Sequence, residues 1–147
     1  MPRLGSNGSS RPNWPDYMAA RAQQTGVPRL ASFFAQGTLD PDMPIGEAPL
    51  VAMDFETTGL DGSRHDIVSV GVIPFTLSRI RPADGRYWVL SPRRQLSDES
   101  VAFHHITHAE VADAPDFASI IDELLTVLAG RLAVVHYRQL ERTFLDA

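Results

Sequence analysis

Hydrophobic and polar positions divide the chain near residue 50. Ahead of it, residues 1–13 form a polar, Gly/Ser-rich tail with too little apolar surface to offset the entropy of ordering, which predicts disorder. Residues 15–24 and 29–36 read as two short helices, with Pro15 suited to a first turn and Gly26 and Gly37 standing where C-terminal caps fall. Residues 38–49, punctuated by Pro41, Pro44 and Pro49, read as a linker or extended strap. Then the pattern changes. Leu50–Phe55 is an apolar run of strand length closed by Thr57-Thr58-Gly59, His65–Pro74 is a β-branched strand, and Gly85–Ser91 is a third. The connections leave no room for crossover helices, so these three strands are expected to form an antiparallel meander.

Residues 97–112 predict two short helical turns, opened by Ser97 and Thr107 as N-caps. The clearest helix is Pro115–Ala129, where Phe117, Ile120, Ile121, Leu124, Leu125 and Leu128 make one apolar stripe at helical spacing. Asp113 or Ala114 leads into Pro115 in its first turn, and Gly130 supplies the C-terminal cap. Leu132–His136 reads as a fourth strand, placed parallel to the first by a right-handed crossover, and residues 137–147 begin another helix. The expected fold class is α/β: a mixed sheet of three antiparallel strands followed by a parallel one, with helices packed on it. The division expected is a tail at 1–13, a helical extension and Pro-rich linker at 14–48, and the main domain at 49–147.

Composition narrows the options. No apolar run approaches the ~20 residues of a membrane span, and Gly, Ser, Asn and Arg stand where a signal peptide would need an apolar core. The chain has no cysteine, which removes disulfides, thiolate metal sites and thiol nucleophiles together and fits a cytoplasmic home. A formal net charge of −5 is unusual for a protein that binds nucleic acid. Clustered carboxylates that hold divalent cations escape that rule, because the bound ions reverse the local field.

Asp54 and Glu56 are two residues apart at the end of a strand, so alternation points both carboxylates to one face while Phe55 turns into the core. Two readings of this pair stand: a solvated polar face, or hard oxygen ligands for Mg²⁺ or Mn²⁺. Glu141, taken by itself, reads as an exposed helix residue beside Arg138 and Arg142. His104, His105 and His108 lie close in sequence, but nothing organises them as ligands; they read as polar surface groups, one of them packing near a pocket. Arg79, Arg81, Arg86, Arg93 and Arg94 gather around the third strand, either steering a phosphate backbone or simply solvating strand edges.

The string V-A-M-D-F-E-T-T-G-L at Val51–Leu60 resembles the first motif of the DEDD 3′→5′ exonucleases, the superfamily of proofreading subunits, ribonuclease T and oligoribonuclease. Phe103-His104-His105-Ile106-Thr107 is similar to that family's I-H-G-I-T segment, with His105 in place of Gly and Phe103 in place of Ile, so a different local turn is expected. Val135–Leu145 (VHYRQLERTFL) resembles the second motif, A-H-N-x-x-F-D-x-x-F-L, with Glu141 at the metal-binding Asp, Leu140 at the Phe and Tyr137 at the Asn. The resemblance covers residues 50–145 and implies a ribonuclease-H-like sheet and a two-metal Mg²⁺ or Mn²⁺ site. It implies Asp54, Glu56 and Glu141 as metal ligands and catalytic groups, with Thr57, Thr58, Leu60, His104 and Ile106 on the substrate side.

The resemblance also implies the substrate: the 3′ end of single-stranded DNA or RNA, released as nucleoside 5′-monophosphate. The histidine branch of the superfamily adds a third motif, H-x-x-x-x-D, beyond the second, and the chain reaches Ala147 without it. The domain is therefore expected to be C-terminally incomplete and impaired, binding one metal weakly. Apolar surface left bare on the last strand and on the 115–129 helix is expected to support a homodimer, or to mark a fragment of a longer protein. Two other readings remain: a non-catalytic domain that binds nucleotides or strand ends, and a protein-interaction module docking through its N-terminal helices.

Overall fold

The computed structural model describes residues 13–146, so the tail expected to be disordered lies, save Asn13, outside the described residues. The first two helices are α1 (Trp14–Gln24) and α2 (Pro28–Ala35). The sheet strands are β1 (Leu50–Thr57), β2 (Ile67–Thr76), β3 (Arg79–Ile80), β4 (Arg86–Val89) and β5 (Leu132–Val134). The remaining helices are α3 (Asp98–His104), α4 (His108–Ala112), α5 (Phe117–Leu128) and α6 (Arg138–Leu145). β2 pairs antiparallel with β1 on one side and with β3 and β4 on the other, and β1 pairs parallel with β5. The mixed sheet expected from the patterning is thus present, with the two-residue β3 as an addition.

Strand alternation sorts the side chains onto two faces. Directly opposed residues share a face; Phe55 opposes Val70, Met53 opposes Val72, and Val70 opposes Trp88. This face carries the main core, in which Val51, Met53, Phe55, Val70 and Val72 meet Leu90, Ile120 and Leu124, with Phe144 arriving from α6. Each large side chain buried there stabilises the fold by about 1.5–3 kcal/mol. The other face presents Asp54 opposite Gly71 and Glu56 opposite Ser69. Part of it is covered by α3 and α4 through a second cluster of Val68, Leu96, Ile106 and Val111, joined by Val89. A register shift between Glu56 and Thr57, where the partner steps from Ser69 to Ile67, leaves Val68 unpaired and free to turn into that cluster.

Two sequence expectations need correction. Helix α5 is capped by Asp116, whose side chain accepts from the Ser119 N–H at 2.9 Å, and Pro115 stands before the cap with its carbonyl accepting from Ser91 N–H at 2.8 Å. A carboxylate that satisfies an orphan N–H outcompetes a proline that merely tolerates the first turn. The α5 stripe is not bare: Ile120 and Leu124 are buried, and Phe117, Ile121 and Leu128 pack against the core. Of these two elements it is β5 that exposes large apolar side chains, Leu132 and Val134. At the end of α3, His105 adopts a left-handed φ of 61°, a conformation that favours glycine.

Beyond the sheet, α1 and α2 pack as a hairpin with the Arg21 guanidinium 5.6 Å from the Phe34 ring centroid. Helix α2 touches α5 through the exposed Arg29–Asp122 pair at 3.3 Å. No described helix is long and apolar enough to cross a membrane.

Candidate functional site

β1 delivers Asp54 and Glu56 to the face that α5 does not cover, Asp54 exposed and Glu56 half-buried. Beyond β1 the chain turns back through a loop held by its own polar groups. Thr57 Oγ1 donates to the Gly59 carbonyl at 2.7 Å, the Thr58 N–H donates to the Asp66 carbonyl at 3.0 Å, and the Asp66 N–H donates to Thr58 Oγ1 at 3.0 Å. Two glycines allow close approaches. A Cβ on Gly59 would stand 2.5 Å from the His65 ring, and one on Gly62 would stand 2.6 Å from the Thr143 carbonyl oxygen in α6. The loop is thereby pressed onto α6, while Leu60 projects into solvent.

Asp66 anchors the arrangement. It is 6% exposed, and its carboxylate accepts from the Arg94 N–H at 2.9 Å, from the Arg94 guanidinium at 3.1 Å and from Arg93 Nε at 3.3 Å. A charge this buried is tolerated because its oxygens are satisfied by charge-assisted bonds.

His104 ends α3 beside Glu56. Its Nδ1 accepts from the Ile106 N–H at 3.0 Å, which assigns the neutral tautomer with hydrogen on Nε2, and that Nε2 is buried without a partner. Burial holds the imidazole below the usual histidine range, and the Glu56 carboxylate pulls it partway back. Glu141 sits in the first turn of α6, beyond the carboxyl ends of the parallel strands β1 and β5. It is only 3% exposed, and one of its carboxylate oxygens is buried with no hydrogen-bond partner. The exposed-helix reading of Glu141 is therefore excluded.

Residues 51–146 match the sequence profile of the RNase T family, described as exonuclease. The chain belongs to this exonuclease family. It is 28% identical over 107 residues to a DNA polymerase III of PolC type from Thermotoga maritima, a match covering 73% of this chain and 8% of that protein. It is 28% identical over 101 residues to the DNA polymerase III subunit epsilon of Salmonella typhimurium, covering 65% of this chain and 41% of the subunit. The chain thus spans less than half the length of these relatives. Among solved structures, exonuclease X in complex with 5′ overhanging duplex DNA aligns with a TM-score of 0.55 at 27% identity, covering 65% of this chain and 52% of that one. The fold is ribonuclease-H-like.

Within this exonuclease-family domain the structure brings some expected residues together and separates others. Asp54 and Glu56 share a face with His104 at its edge, and Glu141 lies at the same end of the sheet. Among the described residues, however, no three His, Asp or Glu side chains stand close enough together to hold a metal ion. The donor chemistry still fits a divalent cation: hard carboxylate oxygens, one of them orphaned on Glu141. Ile106 is a core residue that orients His104 through its N–H, and Thr57 and Thr58 use their hydroxyls within the loop. The histidines disperse, with His108 Nε2 3.2 Å from the Leu96 carbonyl oxygen and His105 exposed at the helix end.

The five arginines do not form one basic stripe: Arg86 pairs with Glu123 at 3.0 Å, while Arg93 and Arg94 serve Asp66. Sequence reading missed Asp66, whose arginine partners lie 27 and 28 residues away, and Tyr87, which the sheet register carries onto the carboxylate face.

Proposed function

We propose that this exonuclease-family chain hydrolyses phosphodiester bonds at the 3′ end of single-stranded nucleic acid, with Asp54, Glu56 and Glu141 holding Mg²⁺ or Mn²⁺. The observation that carries the reading is the pair of carboxylates at the carboxyl end of β1, on a sheet face left open beside them. A bound divalent cation would lower the pKa of the attacking water and offset charge on the phosphate. The chain's own groups supply the rest. Leu60 offers an exposed apolar side chain to the terminal base, and His104 offers an Nε2–H donor next to Glu56. The Asp66–Arg94 pair keeps the Thr57–Gly59 loop in register with β1, and positional error of about an ångström in such a site costs on the order of a hundredfold in rate.

A relative with 27% identity was solved with a 5′ overhanging duplex DNA, which supports DNA as the polymer. A second reading, a domain that holds strand ends without cutting, is favoured by the separation of the acidic groups. Incubating 5′-labelled single-stranded DNA and RNA with Mn²⁺ decides between them. A ladder shortening from the 3′ end, abolished by EDTA and by Asp54→Asn, supports the nuclease. Retention of the strand without any cleavage supports the second reading, and shortening from the 5′ end overturns the first.

A further inference from the structure

We propose that Tyr87 is a base-stacking platform of this site, holding a nucleobase within one or two nucleotides of the bond that is cut. The inference rests on the reading that Asp54 and Glu56 receive the 3′ end of a strand. β4 pairs antiparallel with β2, and the register sets Tyr87 opposite Gly71 and Gly71 opposite Asp54. Asp54, Gly71 and Tyr87 therefore form one row across the sheet on a single face. At roughly 4.8 Å per strand, the Tyr87 Cα lies about 10 Å from that of Asp54.

Gly71 is what joins the two. A Cβ built on it would meet Tyr87 Cδ2 at 3.8 Å, so one edge of the ring lies over the glycine in van der Waals contact. The adjacent row, Glu56, Ser69 and Val89, runs under the α3–α4 cover through Val89, whereas Tyr87 stays 62% exposed. Its strand neighbours turn the opposite way, Arg86 to Glu123 and Trp88 into the main core. An exposed tyrosine follows from strand propensity alone; a tyrosine with its ring edge over a glycine beside two carboxylates does not.

The occupant follows from charge. This face carries Asp54 and Glu56, and Arg86, Arg93 and Arg94 are engaged with Glu123 and Asp66. Affinity for a polyanion must then draw on contacts other than phosphate pairing by these arginines. Stacking on an aromatic face is tolerant of sequence because every base has a π-face. A flexible single strand entering at Asp54 passes within reach of Tyr87.

The test uses the full chain in EDTA, where nothing is hydrolysed, and single-stranded oligothymidylates carrying 2-aminopurine at the first, second or third position from the 3′ end. In the wild-type chain, fluorescence quenching on binding is expected to be strongest at one position. Tyr87→Ala should abolish that quenching and weaken binding roughly 5- to 150-fold, the range that base–aromatic stacking supports, while Tyr87→Phe retains both. Replacing that base with an abasic site should erase the difference between wild type and Tyr87→Ala. Equal affinity and equal quenching in wild type and Tyr87→Ala would overturn the platform while leaving the nuclease reading intact. A wild-type chain that binds no strand in EDTA or in Ca²⁺ would overturn both.

Discussion

At the scale of single residues, the site owes its form to side chains that break a local rule. His105 is a non-glycine held at φ 61°, where a Cβ crowds the following carbonyl. His105→Gly is expected to raise stability by about 1 kcal/mol, read from chemical denaturation; an unchanged or lower midpoint would show that the imidazole itself is needed there. Glu141 is a buried carboxylate with an orphaned oxygen. In EDTA, Glu141→Leu is expected to stabilise the fold by about 1–2 kcal/mol, because it removes a buried polar atom whose lack of a partner carries a penalty of that order. In Mn²⁺ the order should reverse, with only the wild type gaining melting temperature. The identity of these residues as unusual was legible from motif positions, since both depart from the family pattern. Their burial and backbone angle were not, because those depend on what packs around them.

Elements were the most legible level. The 3.6-residue spacing from Phe117 to Leu128 specified α5, and alternation at Asp54-Phe55-Glu56 specified which side chains of β1 turn outward. Helix ends were less so, because Asp113, Ala114 and Asp116 all stand near the start of α5 and only the fold shows which carboxylate reaches an orphan N–H. Bonds from the Ser119 hydroxyl and N–H hold the Asp116 carboxyl below its usual range. Its folded pKa is thus depressed, so the cap stabilises fully above about pH 4 and the contribution is lost as pH falls further. Thermal melts should therefore show Asp116→Ala well below wild type at pH 7, with the gap narrowing at pH 3. A gap that stays constant would assign the cap to something other than the carboxylate. Sheet register was not legible at all: nothing in the sequence says that Tyr87 lies two strands from Asp54, or that Arg94 reaches back to Asp66.

For the molecule as a whole, two surfaces matter. The β5 edge exposes Leu132 and Val134, and among the described residues β5 pairs with β1 alone, so we propose that this edge pairs with a second copy. Light scattering should show association that rises with concentration and is suppressed by Val134→Lys; a monomer at every concentration would contradict this. The other surface is the open face where β1 ends, and the central claim is that its two carboxylates and Glu141 act as one cation site. Titrating Mn²⁺ into the full chain by calorimetry tests that claim most directly. The account predicts one weak site, lost in Asp54→Asn and in Glu141→Gln alike. Binding that survives Asp54→Asn, or no binding by the wild type, would contradict it.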